Sequence, residues 1–156
     1  MIGTGRAPRI MAQRYCDLEV GDREVTRGRT ITEADIVGFA ALTGDFYWLH
    51  TNAQDAAASK FGQRVAHGYL VLSYSAGLGI PPDSRTLLAN YGSERLRFTK
   101  PVFIGDTISL EVEVLAKSDK ADDGTYGVVD LRWDVFKQGH ELVMSSVLKV
   151  LMDSAE

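Results

Sequence analysis

A run of 16 residues in the middle of the chain, HGYLVLSYSAGLGIPP at 67–82, restricts the possible folds most strongly. Its residues are apolar on almost every side of a helix, so we expect a helix that is buried all round. Gly79 and the pair Pro81 and Pro82 predict where this helix ends. A helix of this kind has to be enclosed, so the rest of the chain must supply a surface that wraps around it.

The residues after Pro82 predict that enclosing surface. Four strand-like runs follow, TLLANYGSERLRF, TISLEVEVLAK, YGVVDLRWDVFK and ELVMSSVLKVLM, and the second alternates apolar and polar residues. Earlier in the chain, EVTRGRTIT indicates a strand, TEADIVGFAALTG a helix capped by Thr32, and NAQDAAASKF a short helix capped by Asn52. Helices grouped early and strands grouped late predict an α+β fold with an antiparallel sheet around the apolar helix.

Length and composition limit the organisation and the partners. A chain of 156 residues favours one domain, which we place at residues 15–156 after a loose N-terminal extension at residues 1–14. The net charge of -4 argues against a nucleic-acid partner. One cysteine, Cys16, excludes an internal disulfide and favours a cytoplasmic location. Three histidines and one cysteine do not indicate a metal site, and no apolar run approaches the roughly 20 residues of a membrane span.

The stretch LTGDFYWLH, residues 42–50, places a carboxylate and an imidazole on one loop. Taken alone, Asp45 is typical of turns, since Gly-Asp also occurs at 21–22 and 105–106, and a lone histidine is more often structural than catalytic. Together, Asp45 and His50 can hold one water molecule, accept its proton and return a proton to a substrate. We therefore interpret them as a candidate catalytic pair.

The start of the apolar helix is a second candidate feature. Backbone N–H groups at a helix start lack partners within the helix and lie at its positive end. Gly68 has no side chain, so a ligand oxygen can approach its N–H closely, as the oxygen of a thioester that becomes an enolate would. The alternative, that Gly68 only allows close packing, is equally open. We interpret His67 as a structural or capping residue rather than a second base.

Three segments resemble one protein family. FAALTGDFYWLHTNAQDAAAS is similar to the signature of the MaoC-like, R-specific enoyl-CoA hydratases, and RVAHGYLVLS and LRFTKPVFIGDTISLEVEV follow in the family's order. The resemblance covers about residues 15 to 151. HGYLVLSYSAGL, LANYGSERLRF and GVVDLRWDVF also resemble the hydratase domain of bacterial phenylacetate ring-cleavage proteins, which opens oxepin-CoA.

The resemblance implies a hot-dog fold, in which an antiparallel sheet wraps around a long central helix, and a homodimer or dimer of dimers. It implies no cofactor, because coenzyme A is part of the acyl-CoA substrate. Asp45 and His50 match the catalytic pair, and Gly68 matches the backbone donor to the thioester oxygen. We expect six residues to line the substrate pocket: Phe46, Tyr47, Trp48, His67, Tyr69 and Ser73.

Two departures bear on the substrate. Tyr47 and Trp48 stand where many family members have Asn-Pro, and Ala76 stands where typical hydratases have a serine. Both departures disfavour the usual straight-chain substrates. The aromatic residues either shape the acyl pocket for a ring or a short acyl group, or only anchor the loop in the core.

The resulting prediction is an enoyl-CoA hydratase that adds water to a CoA-thioester double bond, with a cyclic enol ether such as oxepin-CoA among its candidate substrates. A hot-dog acyl-CoA thioesterase is an alternative that would release free CoA. A non-catalytic, dimeric acyl-binding module would not need Asp45 and His50. A dehydratase for carrier-protein substrates is chemically closer to the predicted hydratase. However, an acidic surface disfavours docking of an acidic carrier protein.

Overall fold

The computed structural model describes residues 9–122 and 124–154. Two single 3-10 turns, Ile10–Ala12 and Tyr15–Asp17, come first. The helices and strands follow in this order: β1 (Arg23–Val25), β2 (Arg29–Thr30), α1 (Glu33–Thr43), α2 (Trp48–Thr51), α3 (Ala53–Ala58), α4 (Gly68–Gly79), β3 (Leu87–Phe98), β4 (Thr107–Asp119), β5 (Tyr126–Lys137) and β6 (Glu141–Asp153). Within these ranges, no helix is long and apolar enough to cross a membrane.

The strands form one antiparallel sheet around helix α4. Strand order is β1-β4-β5-β6-β3, and β2 pairs with β4 beside β1. The central strands alternate as the sequence predicts, so that one face of β4, with Ile108, Leu110, Val112 and Val114, is buried against the helix. This is the expected α+β hot-dog fold.

The tightest packing between helix and sheet occurs near the end of α4. Trp133 of β5 is fully buried, and its indole N–H donates to the Ser75 hydroxyl at 2.8 Å. Its ring occupies the space beside Gly79, where an added Cβ would lie 2.2 Å from the Trp133 Cη2 atom. Because no side chain fits there, the glycine is what lets the sheet close onto the helix.

The sequence predicted that helix α4 is buried all round, and this prediction is wrong. Tyr69, Ser73 and Gly77 are exposed, and their spacing of four residues puts them on one face. The sheet of a single chain covers the opposite face, on which Leu70, Val71, Ser75 and Gly79 are buried. The predicted strand EVTRGRTIT is likewise divided, because residues 26–28 interrupt it between β1 and β2.

The expected N-terminal extension is shorter than predicted. Residues 1–8 lie outside the described residues, but residues 9–14 pack against the domain. Ile10 and Met11 are completely buried. Arg9 donates to Glu24 at 3.0 Å and to the carbonyl of Leu78 near the end of α4. The packed chain therefore includes residues that we had placed in the extension.

Candidate active site

Asp45 is placed by the end of helix α1. A capping box of Thr32 and Asp35 fixes the start of this helix, as the sequence predicted. At its end Gly44 adopts a left-handed conformation with a φ of 78°, and its N–H donates to the carbonyl of Ala40 at 2.8 Å. The chain turns there, so that Asp45 follows directly with an exposed side chain whose Oδ1 accepts from the Tyr47 N–H at 3.3 Å.

His50 lies on α2, a single helical turn within a stretch that we expected to be a loop. Its Nδ1 is 2.6 Å from the carbonyl oxygen of Val65. A carbonyl only accepts hydrogen bonds, so Nδ1 carries a proton and the Nε2 atom of the neutral ring has a free lone pair. Burial lowers the pKa of His50, and the neighbouring His67 lowers it too, while the Val65 carbonyl and Asp45 act in the opposite direction. The ring is therefore suited to accept a proton at Nε2.

His67, which the sequence indicated as a structural or pocket-lining residue, lies between the two candidate catalytic side chains. It is 2% exposed. Its Nε2 lies 3.0 Å from the backbone oxygen of Asp45 and 3.9 Å from the carboxylate of the same residue. Its ring stacks on His50 with 3.8 Å between centroids.

Asp45, His50 and His67 thus form one cluster, in which one carboxylate oxygen and one ring nitrogen from each histidine lie within 4.8 Å of one another. Such donors are close enough to contact a single water molecule or cation. The expectation of a metal-free site stays a prediction.

Gly68 begins helix α4 directly after His67 and lines the same cavity as His50. The cavity has a volume of about 350 Å³. A Cβ added to Gly68 would meet the ring of Phe98 at 2.9 to 3.0 Å, so the absence of a side chain also permits close packing. Most of the other lining side chains are apolar, including Phe61, Val71, Phe98, Val102 and Val143, with Lys100 among the polar ones.

The other residues expected in the pocket lie outside this cavity in the described chain. Phe46, Tyr47 and Trp48 are 59%, 52% and 39% exposed, and Trp48 lies on the outer surface beside Asp55, Ala58 and Ser59. Tyr69 is at the cavity's edge, with its ring 6.0 Å from that of Phe98.

Ser73 lines a second cavity, of about 480 Å³, between α4 and β3. Its hydroxyl donates to the backbone oxygen of Tyr69 at 2.7 Å. The sequence therefore indicated His50 and Gly68 in this region, but not the apolar wall beside them; the catalytic roles of Asp45, His50 and Gly68 stay predictions.

The chain is similar to known proteins. The model of a "MaoC like domain" family matches residues 19–132. The chain is 46% identical over 104 residues to the Protein MaoC of Klebsiella aerogenes; the match covers 67% of this chain and 31% of that protein. It is 33% identical over 132 residues to the (R)-specific enoyl-CoA hydratase of Aeromonas caviae, covering 82% of this chain and 90% of the hydratase.

A solved structure is also similar to this chain in its fold. The MaoC-like dehydratase from Rhodospirillum rubrum superposes with a TM-score of 0.81 at 26% identity. The match covers 92% of this chain and 98% of that one. The chain spans less than a third of the Klebsiella protein, so that protein contains a large part with no counterpart in the sequence described here.

Proposed function

Because the chain belongs to the MaoC-like domain family, we propose that it is a hydro-lyase that adds water to the double bond of an enoyl-CoA thioester, or removes water in the reverse direction. The observation that supports this most is that Asp45 lies in one cluster with His50, and that His50 and Gly68 line one cavity. Acid/base groups and a backbone donor in one place are what water addition to a thioester-activated double bond requires.

In the proposed mechanism, Asp45 and His50 hold one water molecule. As the water oxygen bonds to C3, one of the pair accepts its proton, and a proton from the pair is delivered to C2. The negative charge that develops on the thioester oxygen is stabilised by the N–H of Gly68. A single donor of this kind contributes about 3 to 4 kcal/mol in other enzymes. The mechanism assigns the proton to the pair and not to one residue.

The reaction is tested with crotonyl-CoA and purified protein. We expect loss of the enoyl thioester absorbance, formation of a 3-hydroxyacyl-CoA of R configuration, and no release of free thiol. Thiol release without hydration would favour the thioesterase instead. Binding of acyl-CoA with neither reaction would favour the non-catalytic module.

We further propose that the acyl group lies in the 350 Å³ cavity, against Phe98 and Val71. A cavity of this size suits a short or cyclic acyl group, and oxepin-CoA is a candidate. Addition of water to its enol ether carbon would give a hemiacetal, which opens to an aldehyde without a further reagent.

Replacing Phe98 with Ala is expected to enlarge this cavity and to favour longer chains. The ratio of kcat/KM for octenoyl-CoA to that for crotonyl-CoA should rise by about 10- to 200-fold, the range typical of pocket changes. Trp48→Ala in the same assay tests the proposal that the aromatic residues of the loop contact the acyl group. An unchanged ratio for Phe98→Ala would contradict the cavity assignment, and an unchanged ratio for Trp48→Ala would contradict the role of the loop.

A homodimer or dimer of dimers is the assembly that we propose. Strand β3 forms one edge of the sheet and exposes Leu88 and Tyr91, while the exposed face of α4 adds Tyr69 nearby. An unpaired edge of this length needs a partner or protection. Light scattering at micromolar concentration is expected to give at least twice the chain mass of 17.1 kDa. A fully active monomer would contradict this prediction.

A further inference from the structure

His67 connects three parts of the site that belong to different elements. Its side chain contacts the backbone of Asp45 after α1 and the ring of His50 on α2. Its own backbone precedes Gly68, the first residue of α4. His67 therefore contacts both members of the proposed proton-transfer pair and directly precedes the N–H group that we propose as the donor to the thioester oxygen.

We propose that His67 is a positioning residue, which holds Asp45 and His50 at a fixed place relative to the N–H of Gly68. This inference rests on the proposed hydratase function. Its side chain accepts no capping hydrogen bond from the first N–H groups of helix α4, so capping does not account for a histidine here. The Asp45 carbonyl accepts, so Nε2 of His67 must carry the proton.

The second ring nitrogen of His67, Nδ1, indicates that packing alone does not explain a histidine at this position. Nδ1 is buried and has no hydrogen-bond partner in the described structure. An unpaired buried polar atom costs free energy, and a phenyl ring would avoid that cost with a similar shape. The histidine is therefore explained by what Nε2 and the ring contact, and not by packing alone.

Two substitutions separate the hydrogen bond from the ring stacking. His67→Phe keeps a ring against His50 and Phe39 but removes the donor to Asp45. His67→Gln supplies an N–H with similar reach but removes the ring. Misplacement of a reacting group by about 1 Å can cost about 10²-fold in rate. We expect kcat for crotonyl-CoA to fall about 100-fold in His67→Phe, with KM changed less than threefold. The kcat of His67→Gln should be at least tenfold higher than that of His67→Phe.

A pH profile supplies a readout that a purely structural role would not change. The groups around His50 are Asp45, Tyr47, His67 and, across the cavity, Lys100. His67 lowers the pKa of His50, so its removal should raise that pKa. The acid limb of kcat/KM should then move to higher pH in both variants. His140→Asn, a change at an exposed histidine that does not line the cavity, should leave it in place.

Nuclear magnetic resonance tests the geometry without activity. The chain has three histidines, so ring ¹⁵N signals can be assigned with the His140→Asn and His67→Gln variants. We expect His50 to be protonated at Nδ1 and His67 at Nε2 in the neutral protein. The opposite tautomer of His67 would overturn the inference, even if no variant folds.

The outcomes distinguish the inference from the function on which it rests. A wild-type protein that hydrates no enoyl-CoA contradicts the proposed function. An active wild type whose His67→Phe variant retains kcat, with the same acid limb, leaves the function in place and refutes the positioning role. Equal losses in His67→Phe and His67→Gln, each matched by a large fall in melting temperature, would also refute it.

Discussion

Substitution of Asp45 by Asn or His50 by Ala is expected to reduce enoyl-CoA hydration by about 10²- to 10⁴-fold, the usual contribution of general acid/base catalysis. Both residues contact the same small volume, and each substitution removes a group that must exchange a proton with water or substrate. The double variant should be little slower than either single one, because groups that act as a unit are not additive.

This prediction is checked by kcat/KM for crotonyl-CoA together with a melting curve. Asp83→Asn and His140→Asn are matched controls, because both side chains are exposed and neither lines the cavity in the described chain. The Asp45 side chain is also exposed, so its loss should leave the fold intact. Turnover near the wild-type rate in either single variant would remove the pair from the mechanism.

The second large effect concerns stability. Gly79→Ala would place a methyl group 2.2 Å from Cη2 of Trp133 and 2.8 Å from Cδ2 of Leu110. Both residues are buried in the sheet and cannot rotate into solvent, so the helix has to move away. Overpacking of this kind costs about 1 to 3 kcal/mol of unfolding free energy. For a chain of this size, each kcal/mol lowers Tm by roughly 2 to 4 °C.

Gly77→Ala is the matched control on the same helix. An added Cβ at Gly77 meets no heavy atom within 4 Å, and the residue is exposed. Alanine is the better helix former by about 0.5 to 1 kcal/mol, so this variant should melt at or above the wild-type temperature. The prediction is contradicted if thermal unfolding shows Gly79→Ala to be as stable as Gly77→Ala.

The sequence predicted those features that depend on neighbouring residues. The apolar run at 67–82, the alternation of β4 and the cap at Thr32 are local patterns, and each forms the expected element. The proximity of Asp45 and His50 could be predicted for the same reason, since one short stretch of chain carries both. Nothing local predicted the N-terminal segment, because Ile10 becomes buried only when the segment folds over Glu24, which accepts its N–H at 2.9 Å.

The contacts of His67 were missed for a related reason. Its contact with Asp45 joins residues 22 positions apart, and only the docking of α4 against α1 and α2 brings them together. The exposed face of α4 was also missed, since a pattern that is apolar all round does not distinguish burial within one chain from burial against another molecule. The residue spacing alone carries no signal of either feature.

The two edges of the sheet differ in length, and this difference limits how many molecules can join edge to edge. At one edge lies β3, 12 residues long, whereas the other edge, among the residues that the structure describes, carries only β1 and β2, of three and two residues. Side-by-side addition of strands requires a long edge on both partners, so one molecule can add a single neighbour through β3 and then offers only its short edges. Such pairing is isologous, with the same patch on both sides, and it closes on itself. The unequal edges thus favour a closed pair over a fibre, even at high concentration of the folded chain.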